Sequence, residues 1–186
     1  MKSLILSFLL TISNLVIAYG QEFPFTVKIL ENISEMGIDQ FNRFMNDSKW
    51  KLIDIENQVG DTLAMMEFGL PTKENREHYK ATISIHYSDK ILTNRLCLDL
   101  YNTHDYDNLK DQIIKSDYKL IKNFKKISDD YDEYWQVFQN QKYSFFCIMR
   151  DNGKYSKDQN GNYSPFYTYH LWLYANSDFK KNVNLN

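Results

Sequence analysis

Six glycines and three prolines in 186 residues exclude collagen-like and proline-rich architectures. Two cysteines are too few for a disulfide-dense scaffold or a cysteine-rich zinc site. An excess of one charge is also missing. Lysine and arginine number 22 against 24 aspartates and glutamates, a formal net charge of -2. No global positive field is available to hold a phosphate backbone, so no nucleic-acid partner is expected. Short catalytic signatures are lacking too: there is no H-E-x-x-H, no G-x-S-x-G elbow and no Walker-type glycine loop. His78, His86, His104 and His170 share no ligand spacing, so neither a metal nor a cofactor is expected. The stretch 151–162 is dense in oxygen side chains but lacks the spacing and terminal Glu of an EF-hand loop.

What remains is the composition of a folded chain, 43% hydrophobic and 25% charged, with aromatics at 16%. Residues 1–20 have the three-part pattern of a secretory signal peptide. Lys2 is the only charge, an apolar run extends from Leu4 to Ala18, and Ala18-Tyr19-Gly20 offers small residues for cleavage. Polar Ser7, Thr11, Ser13 and Asn14 interrupt the run, which is shorter than the roughly 20 residues of a spanning helix. No later segment is apolar enough to cross a bilayer, so the mature chain is expected to be secreted or periplasmic, with no membrane span after signal removal.

The remainder repeats itself. Asp39, Ser48, Lys51, Leu52, Ile53 and Asp61 recur 68 positions later as Asp107, Ser116, Lys119, Leu120, Ile121 and Asp129, and Trp50 is matched by Tyr118. Leu98-Asp99-Leu100-Tyr101 is matched by Leu171-Trp172-Leu173-Tyr174. Each copy holds one segment of helical period (Ile38, Phe41, Met45; then Tyr106, Leu109, Ile113), followed by four extended runs. Asp105 or Asp107 is the expected cap of the second helix. The expected fold class is α+β: a tandem duplication of a helix-plus-four-strand unit, with antiparallel sheet and helices on one face. Residues 21–104 and 105–186 are the expected repeats.

One helix for every four strands covers only one sheet face. Period-two alternation places Thr82, Ser84, His86, Arg95, Cys97 and Asp99 on the outer face of the first half. The same parity puts Phe146, Ile148, Arg150, Phe166, His170, Trp172 and Tyr174 outward in the second half. That set reads as an exposed aromatic patch, and such patches mark interaction surfaces. The competing possibility packs this face against the other half or against the chain after Asn176. Cys97 falls on the outward parity and Cys147 on the inward, so two free thiols are expected rather than a disulfide.

The architecture resembles that of the secreted β-lactamase inhibitor proteins, whose tandem helix-plus-four-strand units grip a protein with a sheet surface. The resemblance covers topology alone and implies no target or contact residue here. The expected function is an exported, non-enzymatic binding module that takes a protein partner on its outer sheet face and the 151–164 loop. A carrier of a small apolar ligand or lipid, with a cavity between helix and sheet, is the alternative. A hydrolase using His86 or His170 is a third.

Overall fold

The computed structural model describes residues 25–59, 63–72, 79–88, 93–157 and 163–178, so the expected signal peptide lies outside the described residues. In chain order the elements are α1 (Val27–Ser34), α2 (Ile38–Asn46), β1 (Lys51–Glu56), β2 (Ala64–Pro71), β3 (Tyr79–Tyr87) and β4 (Arg95–Leu100). There follow α3 (Thr103–Lys115), β5 (Lys119–Ile127), β6 (Asp132–Gln139), β7 (Tyr143–Lys157) and β8 (Tyr163–Ala175). All eight strands form one antiparallel sheet in the order β1-β2-β3-β4-β8-β7-β6-β5. The two four-strand blocks therefore meet at β4 and β8, where Leu96 pairs with Leu173 and Leu98 with Leu171.

Local chemistry sets the helix ends. The Thr26 hydroxyl accepts the Ile29 amide at 3.3 Å and opens α1. Asn102, not Asp105 or Asp107, caps α3: its carbonyl oxygen accepts the Asp105 amide at 2.8 Å, and its amide donates to the Asp105 carboxylate at 2.6 Å. Asp105 sits three residues into the helix and holds the side chain of the cap, so the cap lies three positions before Asp105. Gly37 opens α2 without a side-chain bond. At the far ends of α2 and α3, Ser48 and Ser116 return their hydroxyls to the carbonyls of Met45 and Gln112.

The helices bury Val27, Leu30 and Ile33, then Phe41 and Met45, then Tyr106, Leu109 and Ile113. All belong to one core with Phe68, Ile83, Ile85, Leu98, Phe145 and Leu171 from the strands. The three helices therefore share one sheet face. One helix per block is the expectation; the first block is preceded by two, α1 and α2, and the second by α3. Eight strands at about 4.8 Å spacing span about 34 Å, whereas two helices of about 10 Å diameter cover only about 20 Å. A third rod is needed, and α1 packs on β4, β8 and α3, over the seam between the blocks. Polar bonds fix it there: the Tyr118 hydroxyl donates to Glu31 at 2.8 Å, and Glu35 accepts from Lys142 and Tyr143.

The edge strands share an irregularity. Pairing of β1 with β2 shifts register between Leu52 and Asp54, and pairing of β5 with β6 shifts between Leu120 and Lys122. Each bulge thus centres on an isoleucine, Ile53 or Ile121.

Candidate binding face

The face opposite the helices follows from register. Across it, Ser84, Cys97, Trp172, Phe146 and Val137 lie in one row. The neighbouring row runs Thr82, Asp99, His170, Ile148 and Trp135. The β1–β4 block contributes hydroxyls, a thiol and charges, and the other block contributes rings and branched aliphatics.

The residues expected to form an exposed patch share this face but not a common exposure. Phe146 is 2% exposed and Ile148 3%, and with Val137 they form a second apolar cluster against Phe124, Trp135, Trp172 and Tyr174. Their expected exposure is corrected: rings on β5, β6 and β8 close over them. Trp135 meets Phe146 edge-on at 6.1 Å, and Tyr174 does so at 5.3 Å. Phe166 is exposed, at 40%. Arg150, His170, Trp172 and Tyr174 are half-buried.

Each half-buried member is fixed by a partner that parity alone does not reveal. Arg150 donates Nε and an Nη to one oxygen of Glu133 at 2.9 and 2.7 Å, and its guanidinium lies over the Tyr131 ring. Trp135 donates its indole N–H to the other Glu133 oxygen at 2.9 Å. His170 Nδ1 lies 2.6 Å from Asp99 Oδ1. An ionised carboxylate only accepts, which assigns the proton to Nδ1. The opposite ring nitrogen of His170 is buried and has no hydrogen-bond partner. Trp172 lies between His86 at 5.3 Å and Tyr174 at 5.9 Å. Arg95 lies over the Tyr174 ring and pairs with Asp178, which brings the chain after β8 onto this face.

The 151–164 stretch is shorter as a connection than expected. Strands β7 and β8 continue to Lys157 and Tyr163, which pair, with a register shift between Asp151 and Tyr155. Gly153 takes φ 62° there, and its amide donates to the Asp151 carboxylate at 2.9 Å. Residues 158–162 lie outside the described residues.

The titrating groups here are poorly placed for catalysis. Cys97 and Cys147 are both free and buried, on opposite faces of the sheet. Burial, and secondarily the Asp99 charge, pushes the Cys97 thiol well up, and it donates to Asp99 at 3.4 Å. Burial pushes the Cys147 thiol up to about 12. Burial also holds His86 below the usual imidazole range, with Arg95 acting in the same direction. Glu67 is raised by desolvation. Among the described residues no group of three His, Cys, Asp or Glu side chains could hold a metal ion, and no helix is long and apolar enough to cross a membrane.

On the helix side, a groove of about 420 Å³ opens between α3 and strands β5–β6. Tyr106, Lys110, Tyr134, Met149 and Tyr169 line it. Tyr106 and Tyr169 stack at 4.4 Å, and Lys110 lies over the Tyr106 ring. Compared with family models, with curated proteins and with solved structures, the chain gives no match.

Proposed function

We propose that this protein is an exported, non-enzymatic binding module that takes a protein partner on its outer sheet face and along the β7–β8 hairpin. The observation that carries this reading is the held set of side chains on β7 and β8. Arg150, His170, Trp172 and Tyr174 are each half-buried and fixed by an ion pair, a hydrogen bond or a ring contact, with exposed Phe166 beyond them. Aromatic and arginine side chains held in place before contact lose little freedom on binding, which is how interface hot spots are built. The protonated Cys97 thiol favours a binding role over a nucleophilic one. Export rests on the pattern of residues 1–20.

The duplication belongs to the same reading. Buried Trp50 and Tyr118, the serines that end α2 and α3, and the bulges at Ile53 and Ile121 all recur 68 positions apart. A mirrored strand order, with β4 meeting β8, is what two joined copies of one four-strand unit would produce.

The test is capture of partners from the extracellular or periplasmic fraction by the mature chain and by a Phe166→Ser/Trp172→Ala variant. Both residues keep solvent contact, so the variant should fold. Loss of capture with an unchanged circular dichroism spectrum supports the reading; equal capture by both proteins refutes it. A second reading, a carrier of a small apolar ligand, is favoured by the groove beneath α3. Native mass spectrometry of freshly purified protein would reveal a retained ligand.

A further inference from the structure

The sheet ends in two open strands whose side chains complement each other. Strand β1 is exposed along its whole length. Register with β2 puts Lys51, Asp54 and Glu56 on the outer face and Leu52 and Ile55 on the helix face. Strand β5 is exposed at seven of nine positions. Register with β6 puts Lys119, Lys122, Phe124 and Lys126 on the outer face and Leu120, Asn123, Lys125 and Ile127 on the helix face. The β1 edge therefore shows two acids and Lys51 outward with aliphatics inward, and the β5 edge shows three lysines and Phe124 outward with Leu120 and Ile127 among its inward residues. Leu52, Ile53 and Ile55 on β1, and Leu120, Ile121 and Ile127 on β5, are exposed large hydrophobics. Among the described residues, no strand pairs with the outer side of either.

We infer that these edges pair with one another between copies of this chain, β5 of one molecule adding to β1 of the next. Every neighbouring pair in the sheet is antiparallel, so its two edges run in opposite directions. A second copy placed side by side then continues the alternation without inversion. Its outer face joins the first copy's outer face, and the register with Asp54 opposite Lys122 sets Glu56 opposite Lys119, Lys51 opposite Phe124 and Ile55 opposite Leu120. Oppositely charged cross-strand pairs stabilise a sheet, and like charges directly opposite destabilise it. Pairing of β5 with β5 sets lysine rows against each other, whereas pairing of β1 with β1 can set Lys51 against Asp54 and would stop at a two-fold dimer. Lysines and bulges on an edge are the usual guards against indiscriminate strand addition. Here they disfavour self-pairing of β5 and leave β1 as its complement. The contact is head-to-tail, so assembly proceeds to open rows or a ring rather than stopping at a two-fold dimer.

The test is sedimentation velocity over the micromolar to millimolar range with three proteins: the mature chain, Asp54→Lys/Glu56→Lys and Lys119→Glu/Lys122→Glu. All four positions lie on exposed edge strands, and circular dichroism verifies folding. The mature chain is expected to form species beyond the dimer. Its association should weaken between about 0.01 M and about 0.15 M ionic strength, as the screening length falls from about 30 to about 8 Å. Each variant alone should associate about tenfold more weakly or worse. An equimolar mixture of the two should recover association, because each then offers the edge that the other lacks. A mature chain that is monomeric at millimolar concentration, or that stops at a dimer, overturns the inference. So does association that survives either charge reversal, or a mixture that fails to recover it.

Discussion

Removing the guanidinium from Arg150, as in Arg150→Met, should be among the most damaging changes on the outer face. The Glu133 side chain is 4% exposed, and Arg150 supplies two of its three described hydrogen bonds, the third coming from the Trp135 indole. Breaking a buried ion pair from one side costs about 3–5 kcal/mol, because the remaining charge is left uncompensated. The Arg150 side chain is 33% exposed, so water screens part of the interaction and the lower end of that range, about 3 kcal/mol, applies. Against a total stability of about 5–15 kcal/mol that is a large fraction. With a urea slope of about 2 kcal/mol per molar, the midpoint should fall by about 1.5 M, followed by tryptophan fluorescence. The double variant Glu133→Gln/Arg150→Met should recover most of the loss, since a neutral amide still accepts the indole N–H. A loss under about 1 kcal/mol for Arg150→Met would show that the pair behaves as a solvated surface bridge, and the account of this face would fail.

Three further outcomes are expected. His86 binds its proton more readily when unfolded, so stability should decline as pH drops below about 6.5 and be regained above it. His86→Gln should flatten the urea midpoint between about pH 7.5 and about pH 5.5, and an unchanged slope would remove His86 as the cause. A Cβ added at Gly69 would lie 2.4 Å from the Tyr79 ring, so Gly69→Ala should cost about 1–3 kcal/mol of thermal stability. Tyr79→Ala should suppress that cost, and simple additivity of the two would count against the contact. Both thiols should resist Ellman's reagent in the native state and react once the chain is unfolded; one equivalent modified within minutes would contradict their burial.

The strands were legible because a sheet with one covered face writes its period into the sequence. The alternation from Tyr79 to Tyr87 predicts β3 to within a residue, and parity places Leu96, Leu98, Leu171 and Leu173 inward, but that β4 and β8 join the blocks is seen only in the strand order. Helix α1 was not legible, because eight residues with four apolar positions carry little period and the need for them arises only from the sheet's total width. The candidate face was read half correctly. Parity gives the side on which Phe146 lies, but its burial depends on Trp135, and strand order decides that pairing. Asp99 and Glu133 escaped notice for the same reason: a single acidic residue in a strand shows its importance only when the arginine or histidine facing it arrives from another element.

Helix α1 begins the described chain yet rests on β8, among the last elements to be made, and on Tyr118 and Tyr143 from the middle. A nascent chain therefore carries this helix without a seat until β8 has emerged. Contacts so distant in sequence slow folding and leave apolar surface open to mispairing in the interval. Closure of the seam is thus a late event: a chain cut short before β8 leaves α1 without its seat, however sound its first four strands.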